Sequence, residues 1–378
     1  MQRITGNVLL VGSIYRETEN WSVEETFTHC AQALGNRASM LPDGEPGDRQ
    51  WWVTFLAYRV MYPHPDLEVV TRPDPGLEYL DRDIKSGETE EHWLPTSYLD
   101  MWRFKARDGV TQITFPELGY ARDAKNSYET FKQLRDRGVI PADTRFQVCL
   151  PLTESAMRQY VTNQKDYALV WNAFDEAMKR ELEYLLDAVP AHDLCIQWDA
   201  ACETCGAAGN ESFSDYPGKE WQADGTPITR FRDSLASLSP AIPDDVWLGV
   251  HLCYGSLGHK FAVELTDLSV NVELANMCVK HAGRRLDFIH MPVSGKPERQ
   301  TEAFYAPLAD LEIGDETRLY FGLIKYDGGV SGSRKRAARI RDYVSDFGIS
   351  TACGFARRPN EQDLDTLLKI HADTADEL

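Results

Sequence analysis

The chain has 378 residues, 43% of them hydrophobic and 26% charged, enough for one large α/β barrel with insertions or for two ordinary domains. Its 59 acidic residues against 40 basic ones leave a formal charge of −19, which argues against nucleic acid or an anionic membrane as a general partner. The opening MQRITGNVLLVGSIYRE has only a short apolar run before charge, neither a secretory signal nor a membrane span, so a cytoplasmic location is expected; eight cysteines dispersed over this length suit free thiols available for metal or catalysis.

Short β-branched or apolar runs alternate with longer helical stretches, the rhythm of βα units. In chain order the strand candidates are NVLLVGSI (7–14), ASMLPDGE (38–45), RFQVCLPLT (145–153), LCIQWDAA (194–201), VWLGVHLCYG (246–255), LDFIHMPV (286–293), LYFGLIKY (319–326) and ISTACGFA (349–356). Between them, 167–189 and 263–283 carry the apolar spacing of amphipathic crossover helices. Eight such units predict a TIM (β/α)8 barrel, one domain over 1–378. From Pro63 the rhythm breaks into a Pro-, Asp- and aromatic-rich stretch, and about 63–140 reads as an insertion over the barrel mouth. TQITFPELG (111–119) belongs to that decoration, unless it is itself a barrel strand and the count is off by one.

In such a barrel the reacting groups gather at the C-terminal strand ends, however far apart in sequence. Here those ends carry Gly12–Ser13, Gly44–Glu45, Asp199, His251 with Cys253, His290, Tyr326–Asp327 and Cys353–Gly354. In GVHLCYG, alternation puts His251 and Cys253 on one face of a strand, half of a zinc site. A buried histidine beside an inert core cysteine would read the same way. Packing alone does not call for two cysteines and two histidines at three ends, and His251, Cys253 and Cys353 make a plausible ligand set for zinc.

The residues VGS, GE followed by an Arg, QWDA, HLCYG, YDGG and ACGFARR, in this order, resemble the catalytic half of cobalamin-independent methionine synthase, within the barrel superfamily that includes uroporphyrinogen decarboxylase. The likeness covers most of the chain except about 63–140, and the family's duplicated N-terminal half has no counterpart. It implies a zinc held by His251, Cys253 and Cys353 that binds and activates a thiol substrate, with Ser13, Glu45 and Asp199 holding the amino-acid part of that thiol. A free thiol near pKa 8.5 is mostly protonated at neutral pH, and zinc ligation removes the proton. Carboxylates at Glu45 and Asp199 would suit an ammonium group, although GEPGDR is also a turn sequence and Asp199 could cap a helix.

Three departures qualify the likeness. His290 stands where the family commonly has a glutamate near the zinc; it is expected as a fourth ligand, as a substrate contact, or as a rim histidine bonded to backbone. Gly329 stands where the family has a proton-handling histidine, so proton delivery must differ or be unnecessary; the catalytic group is left open, with Asp327 as a candidate. The family's folate-contacting aromatic segment has no match, so the alkyl donor is open. CETC (202–205) has redox or metal spacing but no second pair, which favours plain free thiols. DGGVSGSRKRAARIR (327–341) is a glycine-rich loop opening a basic helix, read as a solvated face or as a seat for an anionic substrate tail. The expected function is zinc-dependent alkyl transfer, with methyl foremost, to a small thiol such as homocysteine. The alternatives are a metal-independent decarboxylase or lyase of the same superfamily, and a zinc-binding sensor without catalysis.

Overall fold

The computed structural model describes residues 3–15, 20–73, 101–209, 225–255, 261–358 and 362–378. Among the described residues there are nine strands: β1 (Met40–Pro42), β2 (Leu67–Thr71), β3 (Arg103–Ala106), β4 (Arg145–Pro151), β5 (Leu194–Ala200), β6 (Trp247–Leu252), β7 (Phe288–Pro292), β8 (Arg318–Ile324) and β9 (Gly348–Thr351). Seven form one parallel sheet in the order β1-β4-β5-β6-β7-β8-β9, so each strand lies beside its successor in the manner of a TIM-like α/β fold. β4 to β8 are buried along nearly their whole length, as strands covered on both faces must be.

The first expected strand is reduced to bridging contacts. Val8 bridges Ala38 beside β1 and also Ile349 in β9, in parallel sense both times. Its amide donates to Arg37 O at 2.8 Å, and the Leu9 amide donates to Ile349 O at 3.0 Å. The segment thus bonds to both ends of the seven-stranded sheet.

Helices cover the outside. Gln164–Ala188 starts on Asn163, whose side chain accepts from the Asp166 amide, and ends before Pro190. It buries Val170, Phe174, Met178, Leu182 and Leu185, each worth about 1.5–3 kcal/mol when fully removed from water. Inside, Leu9, Met40, Cys195, Trp247, Phe288 and Tyr320 fill the lower sheet with 0–2% exposure, a packed core rather than a pore. Gly249 exists for this layer: a Cβ there would stand 2.2 Å from the Phe288 ring.

Within the expected insertion, β2 and β3 pair antiparallel and dock on the segment after β4, through a Phe104–Val161 bridge and an Ala106 amide bond to Asp166 Oδ2 at 3.0 Å. Residues 74–100 of that insertion lie outside the described residues. TQITFPELG is not a strand: the amides of Leu118, Gly119 and Ala121 all donate to the buried Glu181 carboxylate, at 2.7, 3.0 and 2.6 Å, instead of to a ladder. Tyr120–Asp136 is the helix that follows, connecting β1 to β4 in the chain. Among the described residues no helix is long and apolar enough to cross a membrane.

Candidate active site

Strand register assembles the site. Asp199, His251 and His290 are successive neighbours across β5, β6 and β7, so their side chains leave the sheet on one row and one face. Two residues beyond His251, the Cys253 amide donates to Ala200 O at 2.8 Å, which extends the alignment past the end of β6. β9 then leads to Cys353.

His251, Cys253 and Cys353, expected together from the sequence, each offer a donor atom within 4.8 Å of the other two. The thiols of Cys253 and Cys353 are 3.8 Å apart. The Cys253 thiol, hydrogen-bonded to Cys353 and buried, is held well above its ordinary range, while Cys353, which receives that bond and lies beside His251, is held well below. His290 is not in this group; its Nδ1 lies 2.6 Å from His251 Nδ1. Burial and the neighbouring His251 keep His290 neutral, well below its ordinary value. His251 lies against the Cys353 thiol and His290 against the Thr351 backbone, and the buried Nε2 atom of neither ring completes a hydrogen bond of ordinary geometry. Imidazole and thiolate are ligands zinc takes at tetrahedral sites, so the donor set and the unsatisfied nitrogens fit such an ion.

Against this trio stand the acidic residues. Glu45 follows β1 in a left-handed backbone conformation, φ 56°, which non-glycine residues adopt at a cost. The turn is held by Asp43, which accepts from the Glu45 amide at 2.9 Å, Arg49 at 2.7 Å and Ser127 Oγ at 2.6 Å. The Ile14 and Tyr15 amides both donate to Gly44 O at 2.9 Å, tying the N-terminal loop to that turn. Burial pushes the Glu45 carboxyl up to about 8, with Arg49 opposing, and its Oε2 has no hydrogen-bond partner. Asp199, accepting from Gln197 Nε2 at 2.8 Å, is held well above its ordinary value by burial and then by Glu45. Two buried carboxylates in mutual repulsion retain a proton until a cation arrives.

Ser13 is buried and held against the Cys353 loop, where the Ala356 amide donates to Ser13 O at 3.0 Å. Gly354 permits this approach, since a Cβ there would lie 2.5 Å from Ser13 Oγ. Ser13 thus sits next to the metal-candidate trio, while Glu45 and Asp199 meet each other at a second group completed by Cys149, donor atoms again within 4.8 Å. Cys149 was not singled out from the sequence. The signal available was parity, since it shares the inward face of β4 with Gln147, whose Nε2 contacts its sulfur at 3.5 Å.

Asp327 is exposed and lines a pocket of about 560 Å3 that also contains Cys353. The CETC cysteines lie buried in the helix Cys202–Ala207, packed on each other, with burial holding both thiols up. That is the setting of inert thiols. In the helix Gly329–Arg341 the basic side chains have internal work: Arg334 pairs with Glu377 at 2.7 Å and Arg336 donates to Leu323 O at 2.6 Å.

Comparison with known proteins places the fold. No protein-family profile and no curated protein matches the sequence. Among solved structures, one assigned as a vitamin-B12-independent methionine synthase from Listeria monocytogenes superposes with TM-score 0.57 at 15% identity, covering 100% of this chain and 99% of that one. A B12-independent methionine synthase from Shewanella sp. W3-18-1, in complex with selenomethionine, gives TM-score 0.56 at 15% identity, with 98% and 96% covered. The chain shares its fold with these structures over essentially its whole length.

Proposed function

We propose that the protein is a zinc-dependent alkyltransferase, with methyl the group transferred and a small ammonium-bearing thiol such as homocysteine the acceptor. The observation that carries this reading is the meeting, at one end of one sheet, of a His–Cys–Cys donor set and a buried pair of carboxylates held above their ordinary range. A zinc ion held by His251, Cys253 and Cys353 would supply a Lewis acid that keeps a substrate thiol ionised at neutral pH. Glu45 and Asp199 receive the acceptor's ammonium, which replaces the proton they share. Ser13 orients the rest of the amino acid from the Cys353 side. His290 acts on the ligand set through its hydrogen bond to His251, fixing that ring's orientation. Asp327, at the pocket rim, is the group within this reading to handle protons.

The selenomethionine bound by the Shewanella neighbour, an amino acid with a methylated selenium, is the kind of product such a transfer makes. The same reading takes the Val8 segment as the eighth position of a closed (β/α)8 barrel, supported by its bonds to both sheet ends. It treats the chain as one domain with its insertion at about 63–140, acting in the cytoplasm on small molecules rather than on nucleic acid or membrane. The test is metal analysis followed by X-ray absorption. About one zinc per chain is expected, with the sulfur neighbours of that zinc rising from two to three when homocysteine is added. A zinc-loaded protein whose metal shell ignores every thiol offered would refute the reading, and zinc-free protein that decarboxylates a substrate would replace it.

A further inference from the structure

The pocket beside Cys353 contains a cation that the acceptor site does not use. It encloses about 560 Å3 between the ends of β7, β8 and β9, within the range of small-molecule sites. Lys325, directly after β8, is half-buried in its wall, and its Nζ lies 5.6 Å from the centroid of the Phe261 ring. Among the described residues Lys325 makes no hydrogen bond and no ion pair. The other charges lining the pocket are differently placed. Lys296 is paired with Glu264 at 3.0 Å, Arg358 donates to the Phe355 and Gln362 carbonyls at 2.9 Å, and Asp327 is exposed. With Arg357, that makes four cations against two carboxylates in a chain whose net charge is −19.

A buried ammonium is costly unless an anion or a hydrogen-bond acceptor meets it, and an aromatic face compensates only in part. Burial and the nearby Arg336 already push the Lys325 amine down to about 8, with Glu264, itself paired to Lys296, opposing only in part. We propose that this pocket binds the second substrate of the transfer through an anionic group, a carboxylate or a phosphate, held by the Lys325 ammonium, with the apolar part of that molecule along the Phe261 ring. Because Cys353 lines the same pocket, a molecule anchored on Lys325 extends toward the metal-candidate trio. The identification of this ligand as the alkyl donor rests on the transfer reading above; the anion site itself does not.

The experiment uses the full-length protein as isolated, with inorganic phosphate and glutarate as separate probes to distinguish the two anion chemistries. Calorimetry should show binding of at least one. Lys325→Met should weaken it by about tenfold or more, the least that loss of a charge-assisted hydrogen bond costs, while Lys296→Met should change it by less than about twofold, as an exposed paired charge does. Acetylation of Lys325 by acetic anhydride, followed by peptide mass spectrometry on the unmutated chain, should slow when the probe is bound; this arm holds even where a variant fails to fold. Failure of both probes to bind, equal binding by Lys325→Met, or unchanged acetylation at saturation with a probe that binds would each overturn the site. Zinc content and response to homocysteine are read in parallel. A normal thiol response without anion binding overturns this site alone, and anion binding without any thiol response overturns the transfer reading instead.

Discussion

Replacing Glu45 by glutamine should make the ligand-free protein more stable at alkaline pH and no more stable in acid. Glu45 is 9% exposed, its Oε2 lacks a partner, and burial raises its carboxyl from 4.5 to about 8. The sign follows from linkage: between those values the folded chain keeps a proton that the unfolded chain has released. The stability it confers is therefore complete below pH 4.5 and lost as pH rises toward 8. At about 1.4 kcal/mol per pH unit the loss is at most roughly 5 kcal/mol, and relaxation with water entry brings the expected figure to about 2 kcal/mol. Glutamine cannot ionise, so Glu45→Gln should exceed the parent by about 2 kcal/mol at pH 8.5 and match it within about 0.5 kcal/mol at pH 4.5. The assay is urea unfolding of both proteins at the two pH values, with chelator present so that metal does not set the charge. In parallel, Glu45→Gln should bind homocysteine at least about tenfold more weakly while leaving 3-mercaptopropionate, which has no ammonium, unaffected. An equal stability difference at both pH values, or a variant less stable at pH 8.5, would refute the account of a buried carboxylate waiting for a cation.

Cys253→Ser and Cys353→Ser should each lower zinc content measured by mass spectrometry of the purified protein, whereas Cys202→Ser should leave it unchanged; full occupancy in both ligand variants would reject the site. Gly249→Ala should cost about 1–3 kcal/mol in urea unfolding, because its Cβ would press on the Phe288 ring at 2.2 Å, and Phe288→Leu in the same chain should recover part of the loss. Glu154→Ala should cost about 2–4 kcal/mol, since it removes the buried carboxylate 2.9 Å from Arg230 and 3.5 Å from Arg158, and among the described residues Arg230 keeps neutral contacts such as its 2.8 Å bond to Gly225 O; a cost below about 1 kcal/mol would show that water reaches the pair.

The strands β4 to β9 were legible because each is, or sits within, a short run rich in apolar residues bounded by polar turns. The first two were less so. ASMLPDGE contributes only Met40–Pro42, because Pro42 has no amide to donate and Asp43 opens the turn that aims Glu45. TQITFPELG has the composition of a strand, but its neighbouring amides are captured by Glu181, 60 or more residues away, and no local pattern announces that. The pairing of β2 with β3 was invisible for the same reason, each being short and its partner distant. In the site, His251, Cys253 and Cys353 could be read from strand parity and position. Three possibilities for His290 could not be narrowed, since its choice of partner is a matter of register with β6. Lys325 looked like any lysine at a strand end, because whether a charge has a partner is set by the surrounding chain.

That register gives the site its logic. Asp199, His251 and His290 occupy neighbouring positions on three consecutive strands, so the group that would meet an acceptor's ammonium, the candidate metal ligand and the residue that steadies it are spaced by the fixed separation of strands in a sheet. A sheet edge or a loop would let these spacings drift, whereas buried central strands do not. The remaining contributors, Ser13, Glu45, Cys253 and Cys353, lie outside the strands, and each is tied down locally: Ser13 through Ala356, Glu45 through Asp43 with Arg49, Cys253 through Ala200, and Cys353 through Cys253. The rigid row fixes the spacing between the Asp199 carboxylate and the His251 and His290 imidazoles, and the segments past the strand ends bring the two cysteine sulfurs to it. Substitutions on β5 to β7 should therefore disturb metal content and acceptor affinity together, while those in the loops should separate them.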